Sequence, residues 1–185
     1  MTHLLAIDPG TNKSGWCYLV DAEPMDYGWF DNEKIYTIIK SLACLTVIEK
    51  IAHMGMPVGA DVFDTVHWTG RFHYLVTEVM QQDVGYITRR DVKLSLCGSA
   101  RANDSTIRQA LIDRFGGQTK AIGGKKCKTC KGKGWNGRGR PDCSDCFASG
   151  WESKPGILHG IANHVWSALA VGITYNDKLL INREL

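Results

Sequence analysis

Short apolar runs separated by turn residues fill the first part of the chain. Residues 4–7 are uniformly apolar and end at Asp8, after which a Pro-Gly pair marks a turn. Residues 15–20 then have the pattern of the returning strand of a hairpin, and residues 27–30 that of a third short strand. The pattern predicts three consecutive strands, the first of which ends at a carboxylate.

A helix and a buried strand follow. Periodic apolar positions predict a helix over residues 32–42. Residues 43–48 are continuous, apolar and partly β-branched, and they end at Glu49. Three consecutive antiparallel strands followed by a helix bring residues 43–48 alongside the first strand and parallel to it. Both strands then end at the same edge of the sheet. We therefore expect Asp8 and Glu49 to be neighbours.

The remaining positions predict four more elements. These are a helix over residues 60–77, a strand over residues 85–96, a helix that starts at Asn103 or Asp104 and ends at Gly116, and a last helix over residues 156–175. Strands and helices therefore alternate along most of the chain.

Composition narrows the class of protein. With 185 residues, of which 44% are hydrophobic, the chain suits one globular domain with room for a small insertion. No stretch is long and apolar enough to span a bilayer, and the N-terminus has neither a basic leader nor a small-residue cleavage site. We therefore expect a soluble, cytoplasmic protein.

Two Cys-x-x-Cys pairs stand out among the seven cysteines. Twelve residues separate the pairs, which are formed by Cys127, Cys130, Cys143 and Cys146. Four thiolates at this spacing are typical of a tetrahedral structural zinc site. The segment around them is rich in glycine and poor in core-forming residues, so it could scarcely fold without a metal. A redox-active cysteine pair is the alternative, but the presence of both pairs together favours zinc.

The same segment is strongly basic, although the net charge of the chain is only +3. Its cations are Lys120, Lys125, Lys126, Lys128, Lys131, Lys133, Arg138 and Arg140. Trp135 and Trp151 lie among and beside them, and such a mixture suits phosphate neutralisation together with stacking on exposed bases. The segment favours a contact with DNA, and the alternative is a solvated face of a purely structural insertion.

The two acids at strand ends carry the candidate chemistry. Close carboxylates repel each other unless a divalent cation lies between them, and oxygen ligands favour magnesium or manganese. Each acid also has a structural interpretation, since Asp8 can cap its turn and Glu49 can be a solvated charge. The fact that both acids close apolar strands favours the metal site.

Four segments, in this order, resemble motifs of the RuvC-like Holliday junction resolvases of the RNase H-like superfamily. They are AIDPGTNKSGW, VIEKIAHMG, DVKLSLCGSARANDSTIRQAL and HGIANHVWSALA. The resemblance spans almost the whole chain. It implies an α/β fold with a mixed five-stranded sheet flanked by helices, a homodimer, and metal-dependent cleavage of branched DNA. The zinc knuckles add a small insertion, and a zinc-bearing version of this fold suggests a bacteriophage protein acting in its host's cytoplasm.

The resemblance also implies domain bounds and further site residues. Residues 1–119 form the nuclease core, residues 120–152 the zinc-knuckle insertion and residues 153–185 the C-terminal catalytic helix. On that helix, His164 and Ser167 stand where the family places two acidic or metal-binding residues three positions apart, a spacing that keeps both on one face. Taken alone, His164 is also compatible with a hydrogen-bonded core histidine.

The implied mechanism is phosphodiester hydrolysis by two Mg²⁺ or Mn²⁺ ions about 4 Å apart. Asp8 bridges the ions, Glu49 holds one of them, and His164 completes the other shell or positions the attacking water. Ser167 departs from the expected aspartate, and a hydroxyl is a far weaker magnesium ligand. Three possibilities stay open: water replaces the missing acid, Asp104 substitutes for it, or the chain binds branched DNA with little or no cleavage.

Other residues are candidates for contact with DNA or with a second subunit. The basic side chains expected to contact DNA are Arg89, Arg90, Lys93, Arg101, Lys131, Lys133, Arg138 and Arg140. The loop with His53, Met54 and Met56 is a candidate for probing the junction centre, unless its methionines simply pack. In the family, the helix equivalent to residues 60–77 forms the dimer interface, although its pattern suits core packing equally well. The expected substrates are Holliday junctions, with three-way and flap structures as further candidates.

Overall fold

The computed structural model describes residues 1–52, 57–133, 143–147 and 149–184, with side chains up to residue 182. Within these residues, a mixed sheet is formed by the strands β1 (His3–Asp8), β2 (Lys13–Val20), β3 (Glu23–Asp31), β4 (Leu45–Lys50) and β5 (Val84–Thr88). Their order across the sheet is β3-β2-β1-β4-β5. The first three strands are antiparallel neighbours, whereas β4 is parallel to β1 and β5 is parallel to β4. The predicted mixed five-stranded sheet is confirmed.

Helices flank this sheet. Their bounds are α1 Asn32–Leu42, α2 Ala60–Tyr74, α3 Arg89–Cys97, α4 Asp104–Arg114 and α5 Val165–Glu184. Helix α2 continues directly into a π-helical turn at Leu75–Val79. None of the helices in the described part of the chain is long and apolar enough to cross a membrane.

Side chains of β1 alternate between two helical layers. Leu5 and Ile7 belong to an apolar core that includes the buried Ile35 of α1 and Phe72 of α2. Ala6 faces the opposite way, towards Gly172 of α5. Because helices cover both faces of the strand, β1 is continuously apolar from its second residue until its last, where the carboxylate stands.

Two glycines let α5 lie close to the sheet. A Cβ on Gly172 would lie 2.6 Å from the Leu19 side chain in β2, and a Cβ on Gly85 in β5 would lie 2.4 Å from the ring of Tyr175. Close-packed interiors do not accommodate contacts this short, so a larger residue at either position would push the helix away. This close packing of α5 on the sheet therefore determines where its first turn lies relative to the strand ends.

The predicted strand over residues 85–96 is wrong in its second half. β5 ends at Thr88, whose amide donates to the carboxylate of Asp91 (3.0 Å) and whose hydroxyl accepts from the amide of Asp91 (3.2 Å). This reciprocal capping box starts α3 at Arg89. The basic residues that follow therefore lie on a helix.

The predicted last helix over residues 156–175 is placed too early. Before α5 begins at Val165, the amide of Gly156 donates to the carbonyl oxygen of Ile122 (2.9 Å). Gly160 then has a φ of +89°, which right-handed helices exclude. The backbone of these residues is therefore committed to a loop, and the helix starts later and continues further along the chain than predicted.

The chain divides into two units, of which one comprises Met1–Arg108 with Ile161–Leu185 and the other Gln109–Gly160. The first unit contains the five-stranded sheet. The second contains an antiparallel ribbon of β6 (Gly123–Lys126) and β7 (Trp151–Pro155). Both cysteine pairs lie in the segment that joins these two strands.

Candidate functional site

Asp8 and Glu49 lie side by side at the ends of two parallel strands. β1 and β4 pair in register up to Ile7 and Ile48, so the next residue of each strand is one of the acids. Because Ile7 and Ile48 face the α1 and α2 core, strand alternation turns both carboxylates towards α5. Their side chains are only 14% and 11% exposed. The two acids that the sequence singles out therefore share one corner of the sheet.

The surroundings of Glu49 favour its neutral form. Burial and the negative charge of Asp8 raise the pKa of Glu49 to about 8, and the nearby guanidinium of Arg89 opposes this shift. When protonated, Glu49 is close enough to donate a hydrogen bond to Asp8. Either a proton or a metal cation relieves the repulsion between the two carboxylates, so the corner is suited to binding a cation.

His164 contacts the first of these acids. Its Nδ1 lies 3.0 Å from Oδ2 of Asp8, and this hydrogen bond, with the negative charges nearby, raises the pKa of His164. The His164 carbonyl oxygen accepts a hydrogen bond from the amide of Ala168 (3.1 Å), so His164 is the N-cap of α5. Ser167 follows in the first turn. The two residues, three positions apart in the sequence, therefore line one cleft at the N-terminal end of α5.

Gly15 makes the contact of His164 with Asp8 possible. In the β1–β2 pair, Gly15 is the direct partner of Asp8. A Cβ on Gly15 would lie 2.5 Å from the carbonyl oxygen of His164, well inside van der Waals contact. The glycine is therefore required because the backbone of another segment passes directly over it.

Buried hydrogen bonds hold the loop that follows Asp8. The Ser14 hydroxyl donates to Oδ1 of Asn32 (2.6 Å), and the Asn32 side-chain amide donates to the carbonyl oxygen of Gly10 (2.9 Å). The amide of Gly10 in turn donates to Oγ of Ser14 (3.2 Å). Sequence reasoning missed this network because an asparagine at the start of α1 has the appearance of an ordinary helix cap.

Trp29 forms one wall of the cleft above Asp8. Its ring stacks on that of His164, with centroids 5.9 Å apart, and the side chain stays 42% exposed. The cleft has a volume of about 540 Å³ and is lined by Trp29, Asp104, Asn163, His164 and Ser167. Trp29 was not predicted as a site residue, because aromatic residues in a short strand suit core packing. Its place on the edge strand β3 was the signal that could have found it.

Arg89 lies beside this cleft, where it contacts two of the residues that line it. Its guanidinium forms an ion pair with Asp104, and its Nη1 lies 3.4 Å from Oγ of Ser167 and 4.0 Å from Oε2 of Glu49. The Arg89 side chain is 24% exposed, whereas that of Asp104 is 85% exposed. The resemblance implies an aspartate at position 167. The structure instead has the Ser167 hydroxyl there, in contact with the guanidinium of Arg89.

A second cleft, of about 680 Å³, adjoins Glu49. Its basic lining residues are Lys50, Arg89, Arg90 and Lys93, of which the sequence selected all but Lys50 as DNA contacts. Arg101 is exposed and directly follows the last residue of this lining. The structure thus brings three predicted DNA contacts to the edge of the acidic corner.

The other predicted DNA contacts are placed differently. Lys131 and Lys133 are exposed in the second unit. Outside the described residues lie Trp135, Arg138 and Arg140, together with His53, Met54 and Met56 of the predicted probing loop.

The four cysteines converge on one point. Their Sγ atoms all lie within 4.8 Å of one another, with 3.9 Å between Cys127 and Cys143 and 3.6 Å between Cys130 and Cys146. A tetrahedral zinc ion with Zn–S bonds of about 2.3 Å places its sulfurs about 3.8 Å apart. The amide of Gly150 also donates to Sγ of Cys146 (3.3 Å), as suits a thiolate. The buried cluster therefore fits a zinc knuckle.

The acidic corner offers a different donor set. Within the described residues, the cysteine cluster is the one group of three or more His, Cys, Asp or Glu side chains whose ligand atoms converge. At the sheet edge, Asp8 and Glu49 contribute oxygen atoms, while His164 directs its Nδ1 to Asp8. Two adjacent carboxylates suit a hard divalent cation that keeps several waters in its shell. The residues present therefore fit magnesium or manganese.

Comparison with known proteins identifies the architecture. No protein-family model and no curated protein sequence matches the chain. Among solved structures, it matches Thermus thermophilus RuvC in complex with a Holliday junction substrate, with a TM-score of 0.61 and 10% identity over 98% of this chain and 97% of that one. A further structure of Thermus thermophilus RuvC matches with a TM-score of 0.60 and 11% identity over the same shares of both chains. The chain has the RuvC fold.

The RuvC fold accounts for nearly the full length of both chains, which confirms at the level of architecture the resemblance seen in four sequence segments. An identity of 10% means that few individual residues are shared. The geometry of the acidic corner, and not overall sequence similarity, must therefore carry any assignment of residue roles.

Proposed function

We propose that this protein is an endonuclease that resolves Holliday junctions and other branched DNA by hydrolysing phosphodiester bonds. The observation that carries the proposal is the pair of Asp8 and Glu49 at the adjoining ends of two parallel strands in the RuvC fold. The structurally similar RuvC was solved with a Holliday junction substrate, which supports branched DNA as the substrate class.

In the proposed enzyme, Asp8 and Glu49 hold Mg²⁺ or Mn²⁺. When bound, such a cation activates water and stabilises negative charge on the phosphate oxygens. Glu49 would be ionised in the presence of such a cation, because a nearby positive charge would favour its carboxylate form. His164 orients Asp8 through its Nδ1 and keeps its second ring nitrogen for a proton in the cleft.

Basic residues around the acidic corner hold the DNA backbone. Arg90 and Lys93 line the cleft beside Glu49, and Arg101 is exposed next to it. Lys131 and Lys133 of the second unit add positive charge for phosphate contacts. We assign these residues to binding, so their removal weakens affinity without abolishing the chemical step.

A homodimer is part of the proposal, because a twofold axis brings two identical sites to opposed strands of a junction. Its support is the exposed apolar surface of α2, where Phe63, Val66 and Tyr74 are 66%, 48% and 57% exposed. Light scattering is expected to give twice the 20.5 kDa mass of the chain. A monomer at micromolar concentration would contradict this part of the proposal.

Zinc is the proposed structural metal of the four cysteines. The sulfur spacing supports this choice, and soft thiolates favour zinc over magnesium. Zinc analysis of the purified protein is expected to give one ion per chain.

The experiment that tests the function uses labelled four-way, three-way and flap DNA with Mg²⁺ or Mn²⁺. We expect paired incisions in the four-way junction by the wild-type protein and loss of cleavage by at least ~1000-fold in Asp8→Asn, since a metal ligand is lost. Junction binding should persist in Asp8→Asn. If this variant cuts as fast as the parent, the assignment of the site is wrong.

The second candidate function is a branched-DNA binder with little or no cleavage. The observation that favours it is Ser167, which provides a hydroxyl where a carboxylate is expected. Wild-type protein that binds junctions tightly but leaves them intact with both metals would support this alternative over the endonuclease.

A further inference from the structure

Arg89 lies beside Ser167, the position where the ligand of a second metal ion would be expected. It is the first residue of α3, directly after the N-cap residue Thr88. From there its guanidinium reaches Ser167 (3.4 Å), approaches Glu49 (4.0 Å) and forms an ion pair with Asp104. Because the side chain is only 24% exposed and has three polar neighbours, its position is well determined.

The charges in this part of the cleft favour one divalent cation. Asp8 and Glu49 together carry two negative charges when ionised, which balance one such ion. Ser167 adds no charge, and the Asp104 carboxylate is already paired with Arg89. A second divalent cation beside Ser167 would therefore lack a carboxylate ligand and would face the positive charge of Arg89.

A guanidinium can supply the charge that a second ion would otherwise provide. It remains positive at any physiological pH, and its parallel N–H groups fit two oxygens of a phosphate. Negative charge on the phosphate oxygens is stabilised in the transition state by fixed cations and donors. Arg89 presents such a group next to the carboxylates that hold the metal.

We infer that the cleft uses a single divalent cation, held by Asp8 and Glu49, and that the guanidinium of Arg89 supplies the second positive charge at the scissile phosphate. The chemical part of this inference rests on the proposed function. In the step concerned, the water oxygen bonds to phosphorus as the bond to the leaving oxygen breaks with its electron pair. The water loses one proton to His164 or to solvent, and the leaving oxygen takes up one proton from solvent.

Asp104 then has a positioning role. It is mostly exposed and forms an ion pair with the guanidinium, so it holds Arg89 next to Ser167 and Glu49. This separates the inference from the idea that Asp104 replaces the missing acid as a metal ligand. Asp104→Asn is expected to keep metal binding and to slow cleavage several-fold, because the amide holds the guanidinium less firmly.

The metal count is measured without DNA. Full-length, zinc-loaded protein is titrated with Mn²⁺, and free Mn²⁺ is followed by electron paramagnetic resonance. We expect one Mn²⁺ per chain in the wild type, in Arg89→Ala and in Ser167→Asp, and none at this site in Asp8→Asn. The double variant Arg89→Ala/Ser167→Asp should bind two, since it gains a carboxylate and loses the competing cation. Two Mn²⁺ per wild-type chain, or lost binding in Asp104→Asn, would overturn the inference.

The role of the guanidinium is measured by single-turnover cleavage of a four-way junction. Arg89→Ala should slow the chemical step by about 100- to 1000-fold, as does loss of a group that stabilises transition-state charge. Arg89→Lys should recover part of the rate, because lysine keeps the positive charge but lacks the parallel N–H groups of the guanidinium. Lys40→Ala on α1 controls for the loss of a positive charge elsewhere. Cleavage by Arg89→Ala at the wild-type rate contradicts the catalytic role.

DNA affinity separates catalysis from binding. Measured in the Asp8→Asn background, Arg89→Ala should change the dissociation constant of the junction by no more than a few-fold. A loss of affinity that matches the whole loss of rate would assign Arg89 to binding alone and overturn the inference. Because the Mn²⁺ count needs no cleavage, it decides the metal part of the inference even for a protein that does not cut DNA.

Discussion

The acidic corner and the cysteine cluster are both candidate metal sites, but they obtain their geometry in opposite ways. Asp8 and Glu49 stand at the ends of strands that are buried between two helical layers, so apolar packing positions them. The cysteines join two short strands in a segment with few apolar side chains. A metal that binds the first site adds function to a fold that already exists, whereas a metal at the second largely creates the local fold.

This difference explains why, in the metal-free protein, electrostatic repulsion arises at the acidic corner and not at the cysteine cluster. At the acidic corner, packing forces two carboxylates together, and the pKa of Glu49 rises to about 8. Burial raises the pKa of the Cys146 thiol, which disfavours its charged form until a metal binds, so the cluster avoids a comparable repulsion. Metal removal should therefore unfold the segment around the cysteines. The acidic corner should stay folded but lose stability through repulsion between its two carboxyl groups.

The largest expected effect is loss of the ribbon when zinc is removed. Chelation, or Cys143→Ser, should abolish the hydrogen-exchange protection of the Cys127 amide, which now donates to the carbonyl oxygen of Gly150 (2.9 Å). Structural zinc contributes about 10 kcal/mol or more to folding in small modules, which this ribbon cannot replace. β1 and β2 should keep their protection. The matched control is Cys97→Ser, outside the cluster, and unaltered protection in Cys143→Ser would exclude a structural metal.

The next largest effect concerns pH. Folded protein keeps a proton on Glu49 up to pH of about 8, whereas the unfolded chain releases it near 4.5. Metal-free protein should therefore lose stability as pH rises through this window, at up to ~1.4 kcal/mol per pH unit. Denaturant unfolding across this range measures the slope. Mg²⁺ and Glu49→Gln should each flatten it, while the exposed Glu33→Gln should not; an equal slope in Glu49→Gln would contradict the assignment.

A smaller effect is expected when the contact above Gly15 is disturbed. A methyl group in Gly15→Ala would lie 2.5 Å from the carbonyl oxygen of His164, so this segment must move. A shift of about 1 Å at a catalytic group costs roughly 100-fold in rate, and we expect a loss of that order in junction cleavage. Gly59→Ala is the matched control, because its Cβ meets nothing within 4 Å. Equal rates for both variants would show that the position of His164 does not matter.

The smallest effect tests the basic residues of the second unit. Lys131→Ala/Lys133→Ala should weaken junction binding and lower its salt dependence by about one unit of slope per lost phosphate contact. The rate of the bound complex should stay unchanged, which distinguishes these residues from Arg89. Fluorescence anisotropy at several salt concentrations measures the slope, with Lys34→Ala on α1 as the control. Unchanged affinity at every salt concentration would leave the second unit without a role in DNA binding.

Much of the fold follows from local pattern. Residues 4–7 and 43–48 are recognisable as strands because a short apolar run that ends at a polar residue is typical of a buried strand. The helix that precedes the second run favours a parallel pairing of the two. The errors concern boundaries. Thr88 and Asp91 close a strand early through a capping box, and Gly156 and Gly160 keep the chain in a loop where apolar periodicity suggested a helix.

The candidate site was only partly visible in the same way. Asp8 and Glu49 are marked by their places at strand ends, and the four cysteines by their spacing. Arg89 was selected for a contact with DNA, and nothing in its surroundings along the chain indicates that it meets Ser167, 78 positions away. Trp29 and Asn32 were missed because an aromatic strand residue and a helix-start asparagine have ordinary structural uses.

The sequence alone was sufficient for features that depend on neighbours along the chain: the acids at the ends of two strands, the turn residues, the paired cysteines and most of the order of elements. Only the tertiary structure decided which side chains meet. Asp8 contacts His164 from 156 positions away because Gly15 lets the segment before α5 pass over the sheet edge. Such contacts depend on packing between distant elements, and a one-dimensional pattern records which residues are buried, not what they are buried against.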